Sequence, residues 1–232
     1  MQKILTIVTT AQKIFRQKLE QIEAVGGLTL EQYTRYLSMQ FHLTKDVQRH
    51  FFIAASHASL ATKGKLREFL VAFGLEEEMH YRIAQKDLDN LGEILLPAPL
   101  DVKLWWAYFD SLISTRPFVR LGATCILENM GTGSSDVAKR LLKSAPFINE
   151  RTSRFMQIHL HEELPHGTWI INILSSIDLD EAALNDLEEG AKIGAILYLR
   201  MVDWALRIDD LTSSFSEIKL PEFEQTLSLS NR

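Results

Sequence analysis

The sequence predicts an all-α protein, because apolar residues recur at helical spacing along most of its 232 residues. The alternation of apolar and polar residues that indicates a half-buried strand is hard to find anywhere in the chain. Thr29 and Gln32 have the spacing of a capping box, which marks the start of a helix. We therefore expect one helical domain of seven or eight helices over residues 1–210, followed by a loosely attached, serine-rich tail over residues 211–232.

Three helices are expected in the first part of the chain, and residues that interrupt a helix end the first and the third. The first ends at Gly26-Gly27, the only Gly-Gly pair in the sequence. The third ends at Gly92, ahead of a Pro-Ala-Pro loop, and Gly74 is a position at which it can bend. The predicted helices cover residues 2–24, 29–57 and 63–91.

Five further helices are expected in the rest of the chain. Pro117 suits a first helical turn, where its missing N–H is not needed. A Gly-Thr-Gly segment at 131–133 separates two helices, and Asp178 with Glu181 gives the last long helix a capping box. The predicted helices cover residues 102–113, 117–129, 135–143, 149–174 and 178–208.

The composition is that of an ordinary globular protein, with 46% hydrophobic and 24% charged residues. The single cysteine, Cys125, cannot form an internal disulfide, which is typical of an intracellular protein. Lys and Arg number 25 against 30 acidic residues, so the net charge of −5 offers no basic surplus for nucleic acid or anionic lipid. No apolar stretch is long enough to span a bilayer. We expect a soluble, cytoplasmic protein that binds neither nucleic acid nor membranes.

Two Glu-x-x-His pairs are the first candidates for a chemical site: Glu77 with His80, and Glu163 with His166. Residues three apart on a helix lie on one face, so each pair can present a carboxylate and an imidazole to the same metal ion. Mixed imidazole and carboxylate ligands suit iron, manganese or zinc. Two such pairs favour a dinuclear site.

Two more residues extend these pairs. His159 lies four residues before Glu163, so His159, Glu163 and His166 share one helical face. Glu128 is the only charge in the otherwise apolar or small segment 122–129, which periodicity predicts to be buried. A buried carboxylate needs a compensating charge, and a metal ion supplies one.

Three stretches carry a family resemblance. Residues 121–133 contain Leu-Gly-Ala, Ile-Leu-Glu and two later glycines, and residues 76–92 begin with Glu-Glu-x-x-His and end with Leu-Gly. Residues 159–166 read His-x-x-x-Glu-x-x-His, which is similar to the His-x-x-x-Asp-x-x-His signature of haem-oxygenase-like di-iron oxidases and oxygenases. Their superfamily includes the TenA and PqqC groups. The resemblance spans residues 63–173 and implies a haem-oxygenase-like helical bundle.

The resemblance further implies a three-histidine, three-carboxylate site for two iron ions, or for iron and manganese. Its ligands would be Glu77, His80, Glu128, His159, Glu163 and His166. The sequence departs from the family pattern at Glu163, which stands where the family has Asp, and at Pro165, which should kink the helix between two ligands. The spacing of the first carboxylate varies within the family, so Glu76 stays open as an alternative to Glu77.

The function implied by the resemblance is that of a non-haem di-iron enzyme. It would use O₂ to oxidise a small amine, amino acid or fatty-acid-like substrate, in a fold that often dimerises. His42, near the aromatic stripe of the second helix, is the candidate substrate-pocket residue. Two other classes stay open: a cofactor-independent TenA-like or PqqC-like enzyme, and a non-catalytic helical binding module. A ferritin-like arrangement using Asp46 ranks second for the fold, although it leaves His159 unexplained.

Other catalytic classes find no support in the sequence. It has neither a Gly-rich phosphate loop nor the Gly-x-Ser-x-Gly elbow of a serine hydrolase. Cys125 lies on a helix expected to be buried, without an obvious activating base, so a nucleophilic role is not expected. His50 and His57 are expected to be structural.

Overall fold

Residues 1–160 and 166–209 are described by the computed structural model, and within these ranges the regular structure is entirely helical. A short 3₁₀ helix, Ala58–Leu60, accompanies the α-helices. The α-helices are α1 (Gln2–Ala24), α2 (Leu30–Thr44), α3 (Gln48–Ser56), α4 (Gly64–Glu77), α5 (His80–Leu91), α6 (Leu100–Leu112), α7 (Pro117–Leu127), α8 (Ser135–Ser144), α9 (Arg154–Leu160), α10 (His166–Ser176) and α11 (Glu181–Leu206). The predicted all-α class is confirmed, with more helices than the seven or eight expected. The predicted tail at 211–232 lies outside the described residues.

Two of the three additional helices arise because the predicted helices 29–57 and 63–91 are interrupted; the third arises because the predicted helix 149–174 contains α9 and α10, between which residues 161–165 lie outside the described ranges. Asp46, with a φ of 65°, separates α2 from α3. Glu78 and Met79 separate α4 from α5, and the φ and ψ of Met79 are −110° and 0°. Glu77 therefore ends one helix and His80 begins the next, so the prediction that they share a continuous helix is wrong. The chain stays helical at Gly74, where a Cβ would lie 2.8 Å from a ring carbon of Phe52 on α3.

Helix starts follow the sequence signals in part. The capping box at α2 is confirmed, because Gln32 N–H donates to Thr29 Oγ1 at 3.2 Å and the Gln32 side chain accepts from Thr29 N–H at 3.0 Å. The cap of α11 is Asp180, whose carboxylate accepts from Ala183 N–H at 2.8 Å. The prediction of a box at Asp178 and Glu181 was therefore wrong by two residues.

Helix α7 lies at the centre of the bundle, and all its residues from Pro117 to Ile126 are buried. It packs most closely on α11, where glycines allow the two backbones to touch. A Cβ at Gly190 would lie 1.7 Å from the Val119 carbonyl oxygen, and a Cβ at Gly122 would lie 2.1 Å from that of Leu187. This contact holds α7 in place, and α7 carries side chains of the site described below. None of the helices in the described ranges is long and apolar enough to cross a membrane.

A series of hydrogen-bonded side chains runs from Asp110 on α6 through His50 on α3 to Arg120 on α7. The ring of His50 is fully buried; its Nε2–H donates to Asp110 Oδ1 at 2.7 Å, and its Nδ1 accepts from Arg120 Nε at 3.2 Å. Burial, together with the Arg120 cation, lowers the pKa of His50 to about 4 despite the opposing Asp110 carboxylate. His50 is thus a neutral structural residue.

This buried histidine predicts that the protein loses stability in mild acid. The pKa of His50 in the folded state lies below its unfolded value of 6.5, so the unfolded state binds more protons as the pH falls through 6.5 towards 4. The free energy of unfolding should be lower at pH 5 than at pH 7 by about 2 kcal/mol from this group alone. Urea denaturation of the wild type and of His50→Gln at both pH values measures this pH dependence. The control is His57→Asn, a substitution at a more exposed histidine. An equal pH dependence in the wild type and His50→Gln would contradict it.

Candidate metal centre

Glu77, Glu128 and His166 come together from three separate helix ends. Glu77 is the last residue of α4, Glu128 directly follows α7, and His166 is the first residue of α10. Each offers one possible ligand atom, and these atoms all lie within 4.8 Å of one another. Glu77 and His166 are buried, being 7% and 6% exposed. Two carboxylates and an imidazole converging at this range form a group that could bind a metal ion.

Two further predicted ligands adjoin this group. His80 Nδ1 lies 2.7 Å from Glu77 Oε2, and the rings of His80 and His159 have their centroids 5.2 Å apart. The structure thus brings Glu77, His80, Glu128, His159 and His166 into one contiguous cluster. The sixth predicted ligand, Glu163, lies outside the described residues, as does Pro165.

His159 is held in a form that leaves a ring nitrogen for a metal. Its Nδ1–H donates to the carbonyl oxygen of Phe155 at 2.7 Å, so the lone pair of the neutral ring lies on Nε2. Loss of solvation lowers its pKa, and the nearby His80 and His166 act in the same direction, whereas the Phe155 hydrogen bond and Glu77 raise it. A neutral imidazole with its second nitrogen hydrogen-bonded is the usual form of a metal-binding histidine.

Asp87 supports His159 from α5, a role that the sequence analysis missed. Its Oδ2 accepts a hydrogen bond of 2.8 Å from Phe155 N–H, near the start of α9, and burial raises the pKa of this carboxyl group. The backbone of Phe155 therefore connects the two side chains: its N–H donates to Asp87, and its carbonyl oxygen accepts from His159. The available signal was an acid at helical spacing from the apolar residues Ala84 and Leu88, which are buried with it on α5.

Glu76 and Glu77, the two candidates for the first carboxylate ligand, differ in burial and in their contacts. The Glu76 side chain is 53% exposed, and its Oε2 lies 3.2 Å from His166 Nε2. Glu128 approaches the other ring nitrogen of His166, with Oε2 at 3.8 Å from Nδ1. Of these two adjacent residues Glu77 is the buried one that belongs to the cluster, whereas the more exposed Glu76 contacts His166 Nε2.

A cavity of about 290 Å³ adjoins the cluster, and Glu77, Glu128 and His159 form part of its wall. Most of the wall is apolar. A polar group on α2 and α11 also faces it, in which Gln40 Nε2 donates to the hydroxyl oxygens of Tyr36 at 2.9 Å and Tyr198 at 3.4 Å. A mostly apolar cavity with a few grouped polar side chains is typical of a small-molecule site.

Comparisons with known proteins give the fold a name. The sequence matches no protein-family model and no curated protein sequence. A domain of unknown function with a haem-oxygenase-like fold, from Shewanella denitrificans OS217, superposes with a TM-score of 0.74 at 18% identity, over 94% of this chain and 95% of that one. The chain has a haem-oxygenase-like fold.

Two structures of a CADD-like protein of unknown function from Nostoc punctiforme PCC 73102 are similar to this haem-oxygenase-like fold. Their TM-scores are 0.65 and 0.64, at 14% and 13% identity. The matches cover 90% and 95% of this chain, and 99% and 100% of the other chain. At these identities the comparisons establish the architecture, and the chemistry has to be argued from the side chains.

His42 and Cys125 lie apart from this chemistry. His42 is not among the described residues that line the cavity; its Nε2 lies 2.8 Å from the carbonyl oxygen of Leu96, and its own carbonyl accepts from Trp106. His42 therefore contacts the loop that contains Leu96, and its role as a substrate-pocket residue stays a prediction. Cys125 is buried, and burial raises the pKa of its thiol to about 12, which agrees with the expectation that it is not a nucleophile.

Proposed function

We propose that this protein is a non-haem di-iron oxidase or oxygenase, with iron and manganese as the alternative metal pair, that uses O₂ to oxidise a small amine, amino acid or fatty-acid-like substrate. The observation that carries the proposal is the convergence of ligand atoms of Glu77, Glu128 and His166 within 4.8 Å, with Glu77 and Glu128 on the wall of a mostly apolar cavity. Carboxylate oxygens and imidazole nitrogens together form the donor set that suits iron and manganese.

The residues of the cluster would have different roles in metal binding. Glu77, Glu128 and His166 would hold one ion, and His80 and His159 extend the donor set towards a second, with Glu77 next to both groups. Bound iron supplies the capacity to reduce O₂. The two carboxylates offset the charge of the ions, the imidazoles fix their positions, and the apolar cavity wall keeps water away from the reacting atoms.

Metal content tests the proposal directly. Full-length protein loaded anaerobically with Fe(II), freed of excess iron and analysed for metal, is expected to contain about two irons per chain. Subsequent exposure to O₂ is expected to change its optical spectrum. A chain that retains no metal under any loading condition would refute the proposal and favour a cofactor-independent enzyme or a binding module.

A further inference from the structure

Arg120 is a buried cation in the wall of the cavity. It is the fourth residue of α7 and is only 1% exposed. Two of its nitrogens are held by the protein: Nε donates to His50 Nδ1 at 3.2 Å, and Nη1 donates to Thr124 Oγ1 at 2.7 Å. Because Asp110 in turn fixes His50, the guanidinium has a defined position before any ligand arrives.

The third nitrogen of this guanidinium has no such partner. Arg120 Nη2 is buried and makes no hydrogen bond within the described part of the chain. Burial lowers the pKa of Arg120 to about 10, against the opposing effect of the Glu128 and Glu77 carboxylates, so the group stays positively charged at neutral pH. A buried, charged donor without a partner is costly, and proteins seldom leave one unless something else satisfies it.

Packing alone does not account for the charge. The guanidinium carbon lies 5.2 Å from the ring centre of Phe51, 5.5 Å from that of Trp105 and 5.8 Å from that of Phe109. These aromatic contacts supply no conventional hydrogen-bond acceptor, so Nη2 stays without a hydrogen bond within the described residues. Nη2 therefore still lacks an acceptor among the described residues, and a ligand in the cavity would supply one.

The rest of the cavity limits what that ligand can be. Its wall is largely apolar, with residues such as Phe15, Leu19, Val47, Phe51, Leu141 and Val202. A ligand made only of polar groups would leave this surface without apolar contacts, and an amine would bring a second cation to Arg120. A molecule with one anionic head and an apolar body satisfies both parts of the cavity.

We propose that Arg120 binds the carboxylate of an otherwise apolar monocarboxylic acid in this cavity. Binding of the acid at Arg120 does not depend on the proposed function. Oxidation of the bound acid does rest on it, and in that case the assignment selects the fatty-acid-like class among the three substrate types. Arg120 lines the same cavity as Glu77, Glu128 and His159, which belong to the candidate metal centre. An acid bound at Arg120 would therefore lie in the cavity that these residues face.

Binding to the metal-free, full-length protein tests this assignment without any turnover. Octanoate and 1-octanol share one chain and differ in the head group. Isothermal titration is expected to show that octanoate binds at least about tenfold more tightly than octanol, because a charge-assisted hydrogen bond is stronger than a neutral one. Equal binding of octanoate and octanol by the wild type overturns the proposal.

Arg120 variants assign the preference to this residue. In Arg120→Gln the preference for octanoate should disappear while octanol binds as before, which also shows that the cavity is intact. Arg120→Met, an apolar replacement of similar length, is measured alongside in case the glutamine variant does not fold. Arg120→Lys should restore part of the preference through its point charge. A full preference in either uncharged variant overturns the role of Arg120.

Iron loading of the same preparations separates this inference from the proposed function. If the wild type prefers octanoate but binds no iron, the carboxylate site is supported and the di-iron proposal is refuted. If it binds two irons but does not prefer octanoate, the di-iron centre is supported and the carboxylate site is refuted.

Discussion

Alanine at Gly190 is expected to unfold the protein, or to lower its free energy of unfolding by about 3 kcal/mol or more. The added Cβ would lie 1.7 Å from the carbonyl oxygen of Val119, which is less than half of an ordinary contact distance. The obstacle is backbone on a neighbouring helix, so no side-chain rotation can relieve it. Helices α7 and α11 would have to separate, which would open the centre of the bundle.

Chemical denaturation followed by circular dichroism measures this effect, and a second glycine provides the control. A Cβ at Gly64 would meet no atom within 4 Å, so Gly64→Ala should be neutral or slightly stabilising. Gly122→Ala should resemble Gly190→Ala, because its Cβ would lie 2.1 Å from the carbonyl oxygen of Leu187. A Gly190→Ala protein with the midpoint of the wild type would contradict the close contact of α7 and α11.

The parts of the fold that the sequence predicted well depend on local interactions. The first helix, the capping box at Thr29 and the proline start at Pro117 are each set by a few neighbouring residues. The missed interruptions at Asp46 and Met79 carry neither glycine nor proline, and helical periodicity continues across them. Such breaks result from packing between distant segments, which one sequence does not display.

Part of the candidate site was predictable because Glu77 and His80 are close together in the sequence. Glu77 and His80 were paired on the assumption of one continuous helix, and the structure joins them by a 2.7 Å contact across a helix break. A spacing of three residues brings the side chains together in either case. Arg120 was not singled out as a ligand-binding residue, although it is the only charge between Pro117 and Leu127. Its significance depends on His50, which is 70 residues away in sequence and gives no local signal.

Substituting Glu77 is expected to weaken iron binding by at least about 100-fold, whereas substituting Glu76 should weaken it by about tenfold or less. Even residues that only support a metal ligand alter affinity by about 10- to 100-fold, and replacing a charged ligand by a neutral amide should reach or exceed that. Glu77→Gln removes the charge of the buried carboxylate that lies within 4.8 Å of possible ligand atoms on Glu128 and His166. Glu76→Gln alters a side chain that is 53% exposed and contacts His166 Nε2.

The two variants form a matched pair, because they make the same chemical change at adjacent positions. Fe(II) titration under anaerobic conditions gives both affinities, and urea denaturation of the metal-free proteins shows whether each variant folds. The Glu77→Gln substitution keeps the size of the native side chain, so a folded variant that has lost its iron reports on the ligand rather than on packing. If Glu76→Gln loses iron and Glu77→Gln keeps it, the metal lies beside Glu76, and the cavity wall that Glu77 shares with Arg120 does not face it.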